Sequence, residues 1–437
     1  MTAPATPALA GCFTGESFES AISELPGGPP SWWVERKRAA YASFAELALP
    51  CRTDESWRFS NISGIKLDGF ILPGAAGSDF QIATDPGLAT EPSLVFANNR
   101  LHAAAEPDPD LAARGVVITT LSEALRRHPD ILRAHFMAQP QRLGSAKFAA
   151  LHTAFVGDGA FIYVPRGVEV PEPIVVVHAA SGAGAAVFPH TLVIAEENSE
   201  VTVVDSFVSA GDVPQFACGA NDLYAGHGSR VTYVGLQNWS GEMQSFQLNS
   251  TVVRRDARVQ SLNLHLGGRQ SRHESLSQLQ APGAFSEMLA LTVAKGSREF
   301  DQRTLQVHQA PNTKSDLLYK NALFDTARTI FSGLIIVDQD AQKTDAYQSN
   351  RNLMLSDEAE ANSLPGLEIQ ANDVRCTHGA TTSRVDPEQE FYFLSRGIPP
   401  ARAHELLIFG FFEEVLNRLE SEDLHAALRS LIQSRFK

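Results

Sequence analysis

The residues in this sequence that are best suited to metal chemistry are Cys376 and His378. One position separates them, so in an extended strand both side chains leave the same face and can reach one metal ion. Thiolate and imidazole are ligands that suit iron and zinc, and an imidazolium beside the thiol would favour the thiolate. Two ligands do not close a four-coordinate site. Either the spacing is a coincidence, or the remaining ligands come from another chain.

Other patterns that carry chemistry are largely absent from the 437 residues. There is no phosphate-binding loop of the GxxxxGK[ST] type, no GxGxxG after a strand, no HExxH and no GxSxG. We therefore expect no ATP binding by the isolated chain. Asp338 and Asp340 would share one face of a strand, which leaves a solenoid carbohydrate-active enzyme with paired carboxylates as an alternative function. A solvated turn is the competing interpretation of these two residues.

The composition argues against several classes of partner. With 50 acidic and 36 basic residues, the net charge of −14 disfavours binding to nucleic acid or to an anionic membrane. No apolar run has the length of a membrane helix, and the start of the chain lacks the features of a signal peptide. The four cysteines are too few and too far apart for a disulfide scaffold, so we expect a cytoplasmic protein.

The region that must position the Cys–His pair is rich in short strands. From about residue 155, β-branched runs alternate with turn residues, which indicates an all-β architecture. Val201, Val231 and Val259 occupy equivalent positions of a repeat with steps of 30 and 28 residues. Further copies of the repeat are predicted at residues 285–288, 325–330 and 357–361. A repeat of this length without helices favours a β-solenoid over a sandwich or propeller, because each coil buries its apolar face against its neighbours.

Helical segments flank this region on both sides. The sequence predicts a helix over residues 32–47, and Thr120 with Glu123 forms a capping box for another. Asp386, followed by a proline, predicts the start of a C-terminal helix. The predicted domains are an N-terminal mixed and helical domain over residues 1–150, a β-helix core over 151–385 and a C-terminal helical domain over 386–437.

The C-terminal domain carries an apolar stripe at helical spacing. Its members are Leu406, Phe409, Phe412, Leu416 and Leu419. A helix that is apolar nearly all round needs cover on two sides. One interpretation is that the stripe packs on the end of the solenoid, and the other is that it docks a partner protein.

Residues 340–356 resemble the SufB/SufD family of iron–sulfur cluster assembly proteins. The stretch reads Asp-Ala-Gln-Lys-Thr-Asp-Ala-Tyr-Gln-Ser-Asn-Arg-Asn-Leu-Met-Leu-Ser. Further segments that resemble the family are residues 55–60, 158–167, 331–334, 376–381 and 395–398. The resemblance implies a mainly β protein, with a right-handed parallel β-helix core between N-terminal and C-terminal helical domains.

Two positions resemble the SufD branch of that family more than the SufB branch. Chains of the SufB branch carry a cysteine near the position of Arg351 and a His-Glu-Ala-Thr run where this sequence has Gly379 after His378. The resemblance implies that Cys376 and His378 face the SufB cysteine at a shared interface. It also implies that the isolated chain binds no cofactor, and that iron or a transient iron–sulfur cluster is held only together with SufB.

The same resemblance implies a complex of one SufB chain, one SufD chain and two copies of the ATPase SufC. SufB would pair through the β-helices, and SufC would dock on the C-terminal helices that carry the stripe. The expected function is a non-catalytic scaffold. A homo-oligomeric structural protein without a metal role is a third hypothesis, and homodimerisation of the isolated chain is left open.

Overall fold

The computed structural model describes residues 11–23, 28–74 and 91–435. Residues 1–10, where a signal peptide would begin, lie outside these ranges. The helices in the described ranges are α1 Gly15–Ser23, α2 Ser31–Glu46, α3 Pro109–Ala113, α4 Leu121–Arg127, α5 Pro129–His135, α6 Ala146–Phe155, α7 Pro387–Ser395, α8 Pro400–Leu416 and α9 Glu422–Ser434. None of them is long and apolar enough to span a membrane.

The strands form a parallel solenoid with two large sheets. They are β1 Leu94–Ala97, β2 Arg100–Ala104, β3 Val117–Thr120, β4 Ala160–Val164, β5 Ile174–Ser181, β6 Ala186–Val187, β7 His190–Ala195, β8 Glu200–Ala210, β9 Gln215–Ala225, β10 Arg230–Asn238, β11 Met243–Val253, β12 Arg258–His265, β13 Gln270–Leu279, β14 Phe285–Ala294, β15 Glu299–His308, β16 Lys314–Leu323, β17 Arg328–Val337, β18 Asp345–Met354, β19 Glu360–Ile369 and β20 Arg375–Arg384. Sheet 1 has the order β2-β1-β5-β8-β10-β12-β14-β16-β18-β20, and sheet 2 has the order β19-β17-β15-β13-β11-β9-β7-β4-β3. Each coil gives one strand to each sheet, so the predicted solenoid with terminal helices is confirmed.

The predicted repeat sets the register of sheet 1. Val201 pairs with Val231, and Val231 pairs with Val259. All three side chains are buried inside the solenoid. The same column continues through Ser286, Ser315, Ala346 and Cys376. Equivalent positions in successive coils therefore stack into columns along the axis, as a solenoid requires.

Two of the later predicted copies are wrong. Residues 325–330 and 357–361 lead into β17 and β19, which belong to sheet 2 rather than sheet 1. The copies that continue the column of sheet 1 begin instead at Lys314, Asp345 and Arg375. Each coil contains two turns, and both are followed by a polar residue and an alternating strand. The same sequence pattern therefore occurs twice in each coil, once before a strand of each sheet. The pattern alone does not reveal which sheet a strand joins.

The outer faces of the two sheets are covered by opposite ends of the chain. Helix α6 packs on the outside of sheet 2, where Phe148 stacks on Phe246 with ring centroids 3.7 Å apart. Helices α8 and α9 pack on the outside of sheet 1 and bury its leucines and valines. Residues before position 150 also extend the solenoid itself, because β1 pairs in parallel with β5.

The helices of the N-terminal region begin close to where the sequence predicts. Helix α2 covers most of residues 32–47, and the Thr120 hydroxyl accepts a hydrogen bond from the Glu123 amide at 3.1 Å, which caps α4. Helices α2 and α6 also cap each other. Lys37 of α2 donates to the carbonyls that end α6, and Lys147 of α6 donates to those that end α2. A cation is favourable at a helix C-terminus, so this exchange holds the two helices together.

Candidate functional site

The C-terminal end of the solenoid is uncovered. Within the described residues, β20 pairs only with β18, and β19 pairs only with β17. All ten residues of β15, two coils earlier in the chain, are buried. In β19 and β20, by contrast, every residue is exposed or half-buried. The last coil therefore presents its backbone edge and its interior side chains to the surroundings, and we call this surface the open end.

Cys376 and His378 lie on β20 at this open end. Cys376 pairs with Ala346, and His378 pairs with Gln348 of the preceding coil. Ala346 and Gln348 are buried inside the solenoid, whereas Tyr347 between them is 38% exposed on the outside. The Cys–His pair thus shares one face of a strand, as predicted, and that face is the inner one. The pair is accessible because no further coil of the described chain covers β20.

The Cys376 thiol is not activated by its surroundings in the isolated chain. It is half-buried, and burial raises its pKa above the ordinary value of a thiol. The carboxylate of Asp345 on the neighbouring strand raises it further, and a hydrogen bond from the Ala346 backbone opposes the shift only in part. In the isolated chain, burial therefore opposes the thiolate that a neighbouring imidazolium would favour. Cys376 is a thiol at neutral pH until a cation or metal ion arrives.

A buried glutamine forms the floor beneath His378. The Gln348 side-chain amide donates to the carbonyls of Gly333 at 3.3 Å and Gly366 at 3.0 Å. Its own carbonyl oxygen is buried and has no partner. A β-carbon at Gly333 would lie 2.4 Å from that oxygen, so only glycine allows this close approach. A buried acceptor without a partner therefore belongs to the residue that pairs with His378 in the preceding coil.

Further polar residues that the sequence reasoning missed lie beside this glutamine. Asn352 donates to Asn350 at 3.0 Å and to Ser363 at 3.2 Å, and Ser363 donates to Asn350 at 2.6 Å. The signal was available in residues 347–352, where every second side chain points inward and all three inward residues are amides. A strand with amides on its inner face indicates a polar interior rather than an ordinary apolar core.

The described residues form no complete metal centre, and Asp338 and Asp340 do not form the carboxylate pair considered above. Among the described residues, no group of three or more histidine, cysteine, aspartate or glutamate side chains is placed to hold a metal ion. Asp338 and Asp340 follow the end of β17 and lie in a turn, where the Ala341 amide donates to the Asp338 carbonyl. They do not share a face of a strand, so the premise of the carbohydrate-active alternative fails.

The apolar stripe of the C-terminal domain lies inside the protein. Its members Phe409, Phe412, Leu416 and Leu419 are buried with α9 against the outer face of sheet 1, and Leu406 is half-buried. The prediction that these five side chains form a docking surface for SufC is therefore corrected for the four buried residues. Their partner is the chain's own sheet, and any protein that binds these helices must use other residues.

In contrast to the buried stripe, helix α7 has exposed apolar side chains. It has no buried residue, and Phe391 is 72% exposed, Tyr392 55% and Leu394 40%. The predicted cap is present, because the Asp386 carboxylate accepts from the Glu388 amide at 3.0 Å. Because α7 follows β20 directly, an exposed apolar helix is connected to the open end.

Charged residues connect α8 to the coils next to the open end. Glu414 of α8 accepts from Lys320 of β16 at 2.5 Å and from Arg351 of β18 at 2.9 Å. Lys320 also donates to the Phe411 carbonyl. Arg351 therefore has a structural partner on the C-terminal helices. This contact attaches α8 to the strand that pairs with the Cys–His strand.

Two models of known protein families together match most of the chain. A family model described as "SUF system FeS cluster assembly, SufBD core domain" matches residues 177–411. A second model, "SufBD protein N-terminal region", matches residues 30–176. The first covers the open end and the Cys–His pair, and the second ends within β5.

Individual relatives match over similar lengths. The iron–sulfur cluster assembly protein SufD of Bacillus subtilis is 28% identical over 416 residues, which cover 93% of this chain and 95% of the relative. A SufBD family protein of Synechocystis is 30% identical over 426 residues, covering 94% and 93%. SufD of Escherichia coli is 29% identical over 394 residues, covering 89% of each chain. With both family models and these full-length relatives in agreement, the chain belongs to the SufBD family of iron–sulfur cluster assembly proteins.

Proposed function

We propose that this chain is a non-catalytic scaffold subunit of an iron–sulfur cluster assembly complex. In this role it pairs with a SufB-type chain at its open end, contributes Cys376 and His378 to the nascent cluster, and docks a SufC-type ATPase through its C-terminal helices. The observation that carries the proposal is the uncovered last coil, where a possible ligand pair lies on the inner face of an unpaired strand. The four free thiols fit a reducing compartment, and we place the complex in the cytoplasm.

The open end has unpaired strand edges and apolar surface that a second solenoid could cover. Edge strands such as β19 and β20 present unpaired backbone groups that readily pair with another chain. Ile369 of β19 is 41% exposed and continues the inner column of the buried Val337, so apolar surface accompanies the free edges. A partner solenoid that continues the two sheets would bury both. It would also enclose the Cys–His pair between two polar interiors.

Enclosure by a partner supplies what the isolated pair lacks. Two ligands do not hold a metal ion, and a cysteine from the partner would complete the set. Metal binding displaces the proton from a thiol, which overcomes the raised pKa of Cys376. The neutral imidazole of His378 coordinates through its lone pair. The cluster or iron is cargo of the complex and is not held by this chain alone.

The ligand assignment is tested by anaerobic co-expression with SufB-type and SufC-type chains. The measured quantities are iron and acid-labile sulfide per purified complex. His378→Ala should lower both sharply while the ratio of subunits stays unchanged. His227→Ala is the matched control, because His227 is also an exposed histidine of the solenoid but lies in a turn far along the chain. Wild-type iron and sulfide in the His378→Ala complex would refute the assignment.

Docking of the ATPase is assigned to the exposed face of α7. Deleting the C-terminal helices would not test this, because it would uncover the apolar outer face of sheet 1. Phe391→Asp should instead reduce the amount of SufC that co-purifies, since a charge on an exposed apolar helix disfavours its burial in a partner's groove. Leu101→Asp is the control, because Leu101 is 44% exposed on β2 at the other end. Equal recovery of SufC with both variants would reject α7 as the docking helix.

A further inference from the structure

A separate cleft lies between the N-terminal region and the beginnings of three strands of sheet 2. It has a volume of about 700 Å³. One wall is the segment around Phe59, and the other is formed by the turns that lead into β13, β15 and β17. The lining of the cleft includes the polar side chains of Arg52, Arg269, Arg328, Ser297 and Thr326. None of these residues belongs to the open end.

Three arginine side chains line the cleft, although the protein as a whole is acidic. Arg52 and Arg269 are exposed, and within the described part of the chain their guanidinium groups have no hydrogen bond or ion pair. Arg328 pairs with Glu299 at 3.4 Å and with Glu360 at 3.2 Å, yet its Nε is buried without a partner. Against the net charge of −14, this cleft presents two unpaired guanidinium groups and one unsatisfied guanidinium donor.

Among the described residues that line the cleft, Glu299 is the one carboxylate, and it already has hydrogen-bond partners. Glu299 accepts from the Asn61 amide at 2.9 Å and from Gln270 at 3.2 Å, besides its pairing with Arg328. It is buried at the base of the cleft, with only a small exposed fraction. Its charge is therefore directed at these donors, and the exposed arginines remain available for another anion.

The wall that carries Phe59 is held rigidly. Ser60 donates to the buried carboxylate of Asp301 at 2.5 Å, and Arg303 donates to the Arg58 carbonyl at 2.8 Å. Phe59 has a φ of +68°, a conformation that is strained for a bulky residue and persists only where its neighbours fix it. A wall that is fixed before binding loses little further freedom when a ligand arrives.

We propose that this cleft binds a small, multiply charged oxyanion of the phosphate class. Guanidinium groups match the oxygens of phosphate in bidentate pairs. Arg52 and Arg269 would hold the anion from the two walls, and the hydroxyls of Ser297 and Thr326 lie in the same lining. The anion could be free phosphate or pyrophosphate, or the phosphate group of an organic ester.

The test is calorimetric titration of the full-length protein at low ionic strength with pyrophosphate and with glycerol 3-phosphate. We expect saturable binding of pyrophosphate, weakened about tenfold or more by Arg269→Gln and by Arg52→Gln, which is the loss of one charge-assisted pair. Binding of glycerol 3-phosphate as well would indicate an organic ester, and binding of pyrophosphate alone a free anion.

Arg230→Gln is the matched control for these titrations. Arg230 is also an exposed arginine at the start of a solenoid strand, but it lies in sheet 1 outside the cleft. Unchanged far-UV circular dichroism should show that all three variants fold. The proposal is overturned if neither probe binds the wild-type protein, or if Arg230→Gln weakens binding as much as Arg269→Gln does. Neither result would bear on the Cys–His pair, which lies on β20 outside this cleft.

Discussion

The two ends of the solenoid are completed in different ways. At the N-terminal end, the chain reverses direction, so that β2 pairs antiparallel with β1 and β3 pairs antiparallel with β4. Helices and a large aromatic cluster cover the adjoining outer face. At the C-terminal end no such reversal occurs within the described residues, and β19 and β20 remain unpaired on one side.

The interior changes between the two ends as well. The column that begins with Val201, Val231 and Val259 continues with two serines and an alanine before it reaches Cys376. Along this column, branched apolar side chains near the capped end give way to small or polar ones near the open end. The capped end is thus built for stability within one chain. The open end keeps space and polar groups for something that is not part of this chain.

The largest expected difference between the ends concerns core aromatics. Phe148→Ala should lower the free energy of unfolding by about 3–5 kcal/mol, because it removes a buried ring stacked on Phe246 and leaves a cavity. Tyr347→Ala near the open end should change it by about 0.5 kcal/mol or less, as for other exposed positions. Urea unfolding of both variants measures this. Equal losses would show that the open end is packed as tightly as the capped end.

Acid should lower the free energy of unfolding mainly through buried histidines. Burial lowers the pKa of His152 from 6.5 to about 4. As the pH falls from 6.5 towards 4, the unfolded chain takes up a proton that the folded chain resists, so stability is present above pH 6.5 and is lost below it. The loss approaches about 3 kcal/mol for this residue.

The measurement is urea unfolding at pH 7 and pH 4.5. His152→Gln should flatten the pH dependence, because it removes one group that protonates only on unfolding. The prediction fails if His152→Gln and the wild-type protein give the same slope of stability against pH.

A smaller effect is expected where α8 joins the coils near the open end. Glu414→Gln should destabilise the protein by about 1 kcal/mol, because Lys320 is buried and loses its charged partner. Glu420→Gln, an exposed glutamate just after the same helix, is the control. If thermal unfolding shifts equally for both variants, the pair between Glu414 and Lys320 does not hold α8 on the sheet.

The smallest effect on stability is expected for the ligand pair itself. Cys376→Ser and His378→Ala should each change the free energy of unfolding by about 0.5 kcal/mol, because neither side chain is fully buried. In the assembled complex, Cys376→Ser should reduce iron and sulfide less than His378→Ala does, since a partner cysteine would remain as the main thiolate. A large loss of stability in either variant would mean that the pair is part of the core.

The fold was predictable because its signals are local and repeated. The spacing of Val201, Val231 and Val259 reflects stacking of one coil on the next. A threonine just before a helix commonly caps it with its hydroxyl, as Thr120 does. The sheet to which a strand belongs was not predictable from the same signal, because both halves of a coil share it. The hairpin of β1 and β2 was missed, since its strands are short and its second strand is wholly exposed.

The candidate site was predictable only in part. The two-residue spacing of Cys376 and His378 correctly placed both on one face of β20. The protonation state of the thiol depends on burial and on Asp345, which is distant in sequence by a full coil. The stripe around Phe412 was ambiguous for a related reason. An apolar helix face has the same sequence pattern whether its own sheet or another protein covers it.

The stacked columns also limit how the length of this protein can change during evolution. Successive members of the column from Val201 to Cys376 are 27 to 31 residues apart. Duplication of a whole coil would keep every inward side chain inward and would move β20 by about 4.8 Å along the axis. Insertion of a single residue within a strand would turn its inner face outward. Turns absorb the differences between 27 and 31 residues, whereas the solenoid axis can lengthen only in whole coils. The distance from the N-terminal domain to the Cys–His strand therefore changes in fixed steps.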